Sequence, residues 1–151
     1  MIRDDIKAAQ ITAMKAGEKP RLAAVRLILA KIKDRDIELR TKEGGAGDDD
    51  ALVVDCLQKM AKQRRESIAM FETGGRTELA EQEKAELGVI EGFLPQQMSE
   101  DETRAAIDGI KTELGAVGPK DMGKVMAELK TRHGTNLDMS KASALVKEAL
   151  S

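Results

Sequence analysis

The sequence predicts an all-α protein in two parts: an N-terminal long-helix hairpin or bundle domain over residues 1–94, then a small C-terminal three-helix domain over residues 95–151. Three observations carry this expectation. Apolar residues recur at intervals of three and four along most of the chain, the spacing that lines one face of a helix. The 41% of hydrophobic residues are Leu, Ile, Val, Met and Ala for the most part, with no Trp or Tyr and only Phe71 and Phe93, a composition that favours helix over sheet. Finally, the stretch from Phe93 to Glu102 stops one helical block and starts another. Pro95 lacks an N–H and disfavours helical geometry at Leu94, while Ser99 followed by Glu102 forms a capping box that opens a new helix.

The elements follow in order. Ile2, Ile6, Ala9, Ala13 and Ala16 form the first apolar stripe, which Gly17 ends. Lys19-Pro20 opens a long second helix, since proline suits a first helical turn; Leu22, Val25, Leu29, Ile32 and Leu39 mark its inner face, and it runs out at Gly44-Gly45. Asp48, Asp49 and Asp50 place carboxylates at the positive end of a third helix with a stripe through Val53, Leu57, Met60, Ile68 and Phe71, closed by Gly74-Gly75. The fourth begins near Thr77, turns Leu79, Leu87 and Ile90 inward and ends at Pro95. Long helices joined by short loops suggest an antiparallel hairpin or bundle. Beyond Pro95, the stripes are Thr103, Ile107, Ile110 and Leu114, stopped by Gly115; Met122, Val125, Met126 and Leu129, stopped by Gly134; and Met139, Ala142, Val146 and Ala149. Three short helices bury only a small core, so this part is expected to be the less stable.

Charge and cysteine content narrow the function classes. With 25 basic against 27 acidic residues, the chain lacks the strong positive charge that holds nucleic acid by bulk electrostatics, so any such binding must use a local patch. Cys56 is the sole cysteine, which excludes an internal disulfide and, with it, points to a reducing, cytoplasmic location. The N-terminal residues lead into no long apolar run, so neither a signal peptide nor a membrane span is expected.

One segment imitates a nucleotide site. Gly118-Pro119-Lys120-Asp121-Met122-Gly123-Lys124 has the glycines and lysine of a phosphate-cradling loop, but Val125 stands where Ser or Thr must hold magnesium, and no strand precedes it. The same segment supports a different chemistry. From Lys120 to His133 stand Lys120, Lys124, Lys130 and Arg132 against Asp121 and Glu128, whereas Ser99 to Glu113 carries five acids and two bases. Lys120 and Lys124 are helix neighbours near an N-terminus that favours anions, and Gly123 lets a backbone approach closely, as a phosphate would require. A solvated helix face with Gly123 kept for packing is the plainer alternative. Arg64, with Arg65 beside it, falls near the apolar line of the third helix, where it could reach phosphate or pair with a carboxylate such as Glu38 or Glu86.

No catalytic, cofactor or metal site assembles from the remaining residues. His133 precedes Gly134 at a helix end and suits the negative end of the dipole, without a second histidine as partner. Cys56 fits as a small core residue, and Asp48 to Asp50 lack the spacing of a calcium loop.

Taken together, Gln63-Arg64-Arg65-Glu66-Ser67-Ile68, Phe71, Gly75-Arg76, Glu81 to Glu86, Phe93 to Ser99, Gly115-Ala116 and Lys120-Asp121-Met122-Gly123-Lys124-Val125-Met126 resemble the GatB/YqeY-like family over nearly the whole chain. After Met126 the chain departs from the family pattern at Leu129 to Arg132 and at His133 to Asp138. The resemblance implies a free-standing counterpart of the C-terminal tail of the tRNA-dependent amidotransferase B subunit, a tail that holds the tRNA body. It also implies the label of a carbon–nitrogen ligase with glutamine as amido donor, although the chain matches neither the kinase nor the amidase part that performs that chemistry. The resulting expectation is a non-catalytic tRNA-binding accessory module, partnered by tRNA and by amidotransferase or aminoacyl-tRNA machinery. Its phosphate contacts would be Lys120, Gly123, Lys124, Lys130 and Arg132, with Arg64 and Arg65 as a second group. A protein-interaction adaptor that binds no RNA is the alternative, favoured by overall acidity and the lack of aromatic residues for stacking on bases.

Overall fold

The computed structural model describes residues 1–40 and 48–151. Among these the all-α expectation holds, with seven α-helices, one 3-10 turn and no strand. The expected end of the second helix at Gly44-Gly45 lies outside the described residues. By their contacts the residues form two compact units, Met1–Leu94 and Pro95–Ser151.

The first unit holds α1 (Ile2–Ala16), α2 (Lys19–Leu39), α3 (Asp49–Thr73) and α4 (Thr77–Phe93). Left-handed glycine closes two of these helices. At Gly17 (φ 70°) the amide of Glu18 reaches back to Ala13 O at 3.0 Å, and at Gly75 (φ 73°) the amide of Arg76 reaches Phe71 O at 2.8 Å, which satisfies carbonyls that a helix end leaves orphaned. The three aspartates before α3 divide three tasks. Asp48 Oδ1 accepts from the Asp50 amide at 3.0 Å, Asp49 receives the Arg3 guanidinium at 2.8 Å, and Asp50 Oδ1 accepts from the Ile2 amide at 3.0 Å. Arg3 also forks onto both oxygens of Asp36 at 2.8 and 3.0 Å, so one half-buried cation ties α1, α2 and α3. That guanidinium holds the Asp36 carboxyl below the usual carboxylate range, by its hydrogen bonds above all.

The core of this unit is Ile6, Val25, Ile28, Ile32, Val53, Leu57, Met60 and Ile90, with Leu87 and Phe93 packed against it. Most of these lie on the stripes read from the sequence. Ile28, Leu52 and Val54 are buried as well, because α2 and α3 each meet three other helices and need a wider apolar face than a single line. Leu79, expected to turn inward, is 40% exposed, while its neighbour Ala80 is buried. Periodicity sets the direction of a side chain, whereas its cover depends on what lies opposite.

The second unit holds α5 (Glu100–Leu114), a 3-10 turn (Pro119–Asp121), α6 (Met122–His133) and α7 (Met139–Leu150). The capping box forms as the sequence predicts: the Glu102 amide donates to Ser99 Oγ at 3.1 Å, and the Ser99 amide donates to Glu102 Oε1 at 3.4 Å. Gly115 (φ 64°) closes α5 in the left-handed form, and Asp138 caps α7 through the Ser140 amide at 2.9 Å. Ile107, Ile110, Val125, Leu129, Leu137, Ala142, Val146 and Leu150 make the core. Leu114, expected on this inner face, is 45% exposed at the end of α5.

Among the described residues, no helix is long and apolar enough to cross a membrane, and no cluster of His, Cys, Asp and Glu is arranged to hold a metal ion.

Candidate nucleic-acid interface

The six basic residues of the candidate site separate into two kinds. Arg64, Arg65 and Arg132 are engaged by carboxylates. Arg64 on α3 brings its Nε to 3.1 Å from Glu83 and 2.9 Å from Glu86, both on α4. These are charge contacts rather than directed hydrogen bonds, since both Arg64 Nε and Glu83 Oε2 are buried without one. Burial pushes the Glu83 carboxyl up; Arg64 opposes this shift and the neighbouring Glu86 adds to it. The α3–α4 hairpin therefore holds two carboxylates against one guanidinium, which accounts for Arg64 as a helix-pairing residue. Arg65 meets Glu91 at 3.1 Å, and Arg132 on α6 meets Glu113 at 2.5 Å and Glu128 at 2.7 Å. Of the two carboxylates open to Arg64 in the sequence, the structure selects Glu86, and it adds Glu83.

The lysines behave otherwise. Lys120, Lys124 and Lys130 are exposed, and none forms an ion pair with a described residue. Lys120 stands in the 3-10 turn and Lys124 in the first turn of α6, on either side of Asp121. The Asp121 carboxylate accepts the Val117 amide at 3.1 Å, and this bond chiefly, with the Gly118 amide and the charges of Lys124 and Lys120 assisting, keeps it below its usual range. Gly123 between them is exposed, and a Cβ built there would meet nothing within 4 Å. Packing therefore does not require a glycine at this position, and its plain structural explanation drops away. Gly134 differs. A Cβ there would lie 2.6 Å from Lys130 O, so the close turn after α6 demands its absence.

One feature of this unit is invisible in the sequence. The segment after Pro95 is fastened to the turn that follows α6: Gln97 Nε2 donates to Thr135 O at 3.0 Å and to Pro95 O at 2.8 Å, the Met98 amide donates to Asn136 O at 2.8 Å, and Asn136 Nδ2 donates to Gln96 O at 2.9 Å. Beside this strap lies an open cleft of about 380 Å³ lined by Gln96, Gln97, Met98, Glu102, His133 and Asn136. Two amide-bearing side chains separated by about forty residues gave no periodic or spacing signal. His133 closes α6 as expected and lines the cleft, and its imidazole makes no hydrogen bond to a described residue. Cys56 is buried in the first unit, and burial pushes its thiol up, away from the reactive thiolate.

Comparison with known proteins accords with the resemblance read from the motifs. The chain is similar to the protein named "Altered inheritance of mitochondria protein 41, mitochondrial" of Lachancea thermotolerans, 30% identical over 120 residues that cover 78% of this chain and 60% of the relative. The protein of that name from Saccharomyces cerevisiae is 26% identical over 121 residues, covering 76% and 61%, and that of Eremothecium gossypii is 29% identical over 131 residues, covering 85% and 67%. The chain thus spans about three-fifths of the length of the first of these relatives. Their names correct the expected cytoplasmic location: proteins called mitochondrial conflict with a purely cytoplasmic assignment. The inference failed because a single cysteine separates oxidising from reducing surroundings, not one reducing compartment from another. The model of the family described as Yqey-like protein matches residues 3–150, and the chain belongs to that family.

Proposed function

We propose that this chain is a non-catalytic accessory module that binds tRNA, related by resemblance to the tail of the glutamine-dependent amidotransferase and holding RNA through the lysines of its second unit. The observation that carries this is the pairing of exposed, uncommitted Lys120 and Lys124 with Gly123, a glycine that packing does not use. Lysine contacts of this type grip phosphate without reading bases, so they position RNA rather than select its sequence. Lys130 is a further exposed lysine of α6, on a different side from Lys124, whereas Arg64, Arg65 and Arg132 are engaged by carboxylates and are set aside as phosphate contacts. With a net charge of −2 the chain offers RNA no bulk attraction, so binding is confined to this patch and its salt dependence counts the few phosphate contacts made there.

The test is binding of a labelled tRNA across a salt series. Affinity is expected to fall linearly on a log–log plot, and the Lys120→Ala, Lys124→Ala double change is expected to reduce the slope by about 2. Retention of the full slope by the double variant rejects the site, and absence of binding at low salt rejects the function. A second reading, the protein-interaction adaptor, is favoured by the overall acidity and by the lack of aromatic residues other than Phe71 and Phe93 for stacking on bases. Capture that persists after nuclease treatment would support it.

A further inference from the structure

We propose that the cleft between the Gln96–Met98 strap and the end of α6 receives an unpaired nucleobase, with Lys130 on the phosphate beside it; this rests on the RNA-binding function proposed above and adds base selection to it. The lining residues fall into complementary roles. Gln96 is exposed, and its side-chain amide has no hydrogen-bond partner among the described residues, so it offers a donor and an acceptor together. Glu102 Oε1 receives only the long 3.4 Å bond from Ser99, and no described residue bonds Oε2. Met98 and His133 both line the cleft, the one an apolar side chain, the other an imidazole of the kind on which unstacked bases lie. By contrast, Gln97 and Asn136 are consumed by the strap, whose bonds to Thr135, Asn136 and Gln96 hold the two walls in register before any ligand arrives.

Size and charge agree with such an occupant. A volume of about 380 Å³ lies at the small end of the range for ligand pockets, suited to a base with its ribose rather than to a duplex. Lys130 is exposed, three residues before His133, and therefore on the same side of α6. Glu102 decides which base. An acceptor-only carboxylate favours the exocyclic amine of adenine or cytosine and repels the O4 carbonyl of uracil, while the Gln96 amide matches the donor and acceptor edge of an amino base. Because binding of this kind needs an unstacked base, a loop or single-stranded end is the target and a continuous helix is not.

The experiment measures binding of labelled oligo-A, oligo-C, oligo-U and a blunt RNA duplex to the full chain and to three variants. The wild type is expected to prefer oligo-A and oligo-C over oligo-U by roughly tenfold. The Gln96→Ala, His133→Ala double variant should lose about tenfold on oligo-A with less than twofold change on the duplex, whereas Lys120→Ala, Lys124→Ala should weaken both alike. Glu102→Gln keeps the capping box, since glutamine serves at that position, and should erase the preference against oligo-U without unfolding α5. Equal losses on oligo-A and duplex, or an unaltered oligo-U preference in Glu102→Gln, overturn the base cleft while leaving RNA binding standing. Binding of none of the four RNAs at low salt overturns the cleft, and absence of tRNA binding as well overturns the RNA-binding function itself. An independent arm titrates the protein with adenosine monophosphate and follows amide resonances. Shifts centred on Gln96 and His133 are expected, and their confinement to Lys120 and Lys124 counts against the cleft.

Discussion

The two units bury their paired arginines to different depths: the side chains of Arg3 and Arg64 in Met1–Leu94 are 22% and 18% exposed, those of Arg104 and Arg132 in Pro95–Ser151 43% and 39%. In Met1–Leu94, Arg3 joins α1 to α2 and α3, Arg64 and Arg65 join α3 to α4, and Arg35 braces Glu38 within α2, while Arg21, Arg26 and Arg76 are exposed without an ion pair to a described residue. In Pro95–Ser151, Arg104 and Arg132 pair with carboxylates, and Lys120, Lys124 and Lys130 are exposed without an ion pair to a described residue. The difference teaches which basic residues belong to the fold. A planar guanidinium satisfies two carboxylates at once and is worth fixing in place; a strongly hydrated ammonium on a flexible stem is worth most where a mobile, charged ligand arrives. The units also differ in how they are held. Helices of 15, 21, 25 and 17 residues give the first a long shared core, while helices of 15, 12 and 12 residues in the second are supplemented by the polar strap of Gln96, Gln97 and Asn136.

The largest expected effect tests whether the second unit's small core is indispensable. Leu129→Ala removes a fully buried side chain and should cost about 2–5 kcal/mol, read by urea denaturation followed by circular dichroism. A loss below 1 kcal/mol would mean that the strap, not the core, holds this unit.

Next in size is the pair of glycines that separates fold from function. Gly115→Ala forces a side chain into left-handed backbone and should cost about 1 kcal/mol. Gly123→Ala, on an open helix surface, should leave stability unchanged or raise it by up to about 1 kcal/mol, yet weaken tRNA binding several-fold. If Gly123→Ala lowers the melting temperature, the position is structural after all.

The smallest effects concern acid. Asp36 titrates below its usual range in the folded state, so its pairing contributes stability above about pH 4 that is lost as pH falls through that range. Arg3→Met should therefore cost about 1 kcal/mol at neutral pH and flatten the acid limb of the stability profile. Glu83 runs the opposite way: its raised pKa makes the ionised form a cost that is absent in acid and present at neutral pH. Glu83→Gln should gain roughly 0.5 kcal/mol at pH 7, with the gain gone near pH 4. A loss at pH 7 would show that the Arg64 attraction outweighs burial.

Much of this was legible in the sequence. Apolar spacing, Ser99 with Glu102, and Gly17, Gly75 and Gly115 each specify a local conformation through their own covalent geometry, so helix type, order and ends follow from neighbouring residues. The family too is carried by short motifs and could be read directly. What local pattern cannot contain is the identity of a distant partner. That Arg64 meets Glu83 and Glu86, that Ala80 is covered and Leu79 is not, and that Gln97 reaches Thr135 depend on which helix lies opposite. Only tertiary packing removed Arg64, Arg65 and Arg132 from the set of uncommitted cations, and only it drew Gln96, Glu102 and His133 to one cleft. The sequence by itself determined the helices, because their hydrogen bonds close within four residues; the structure decided the cleft, because its walls come from segments about forty residues apart.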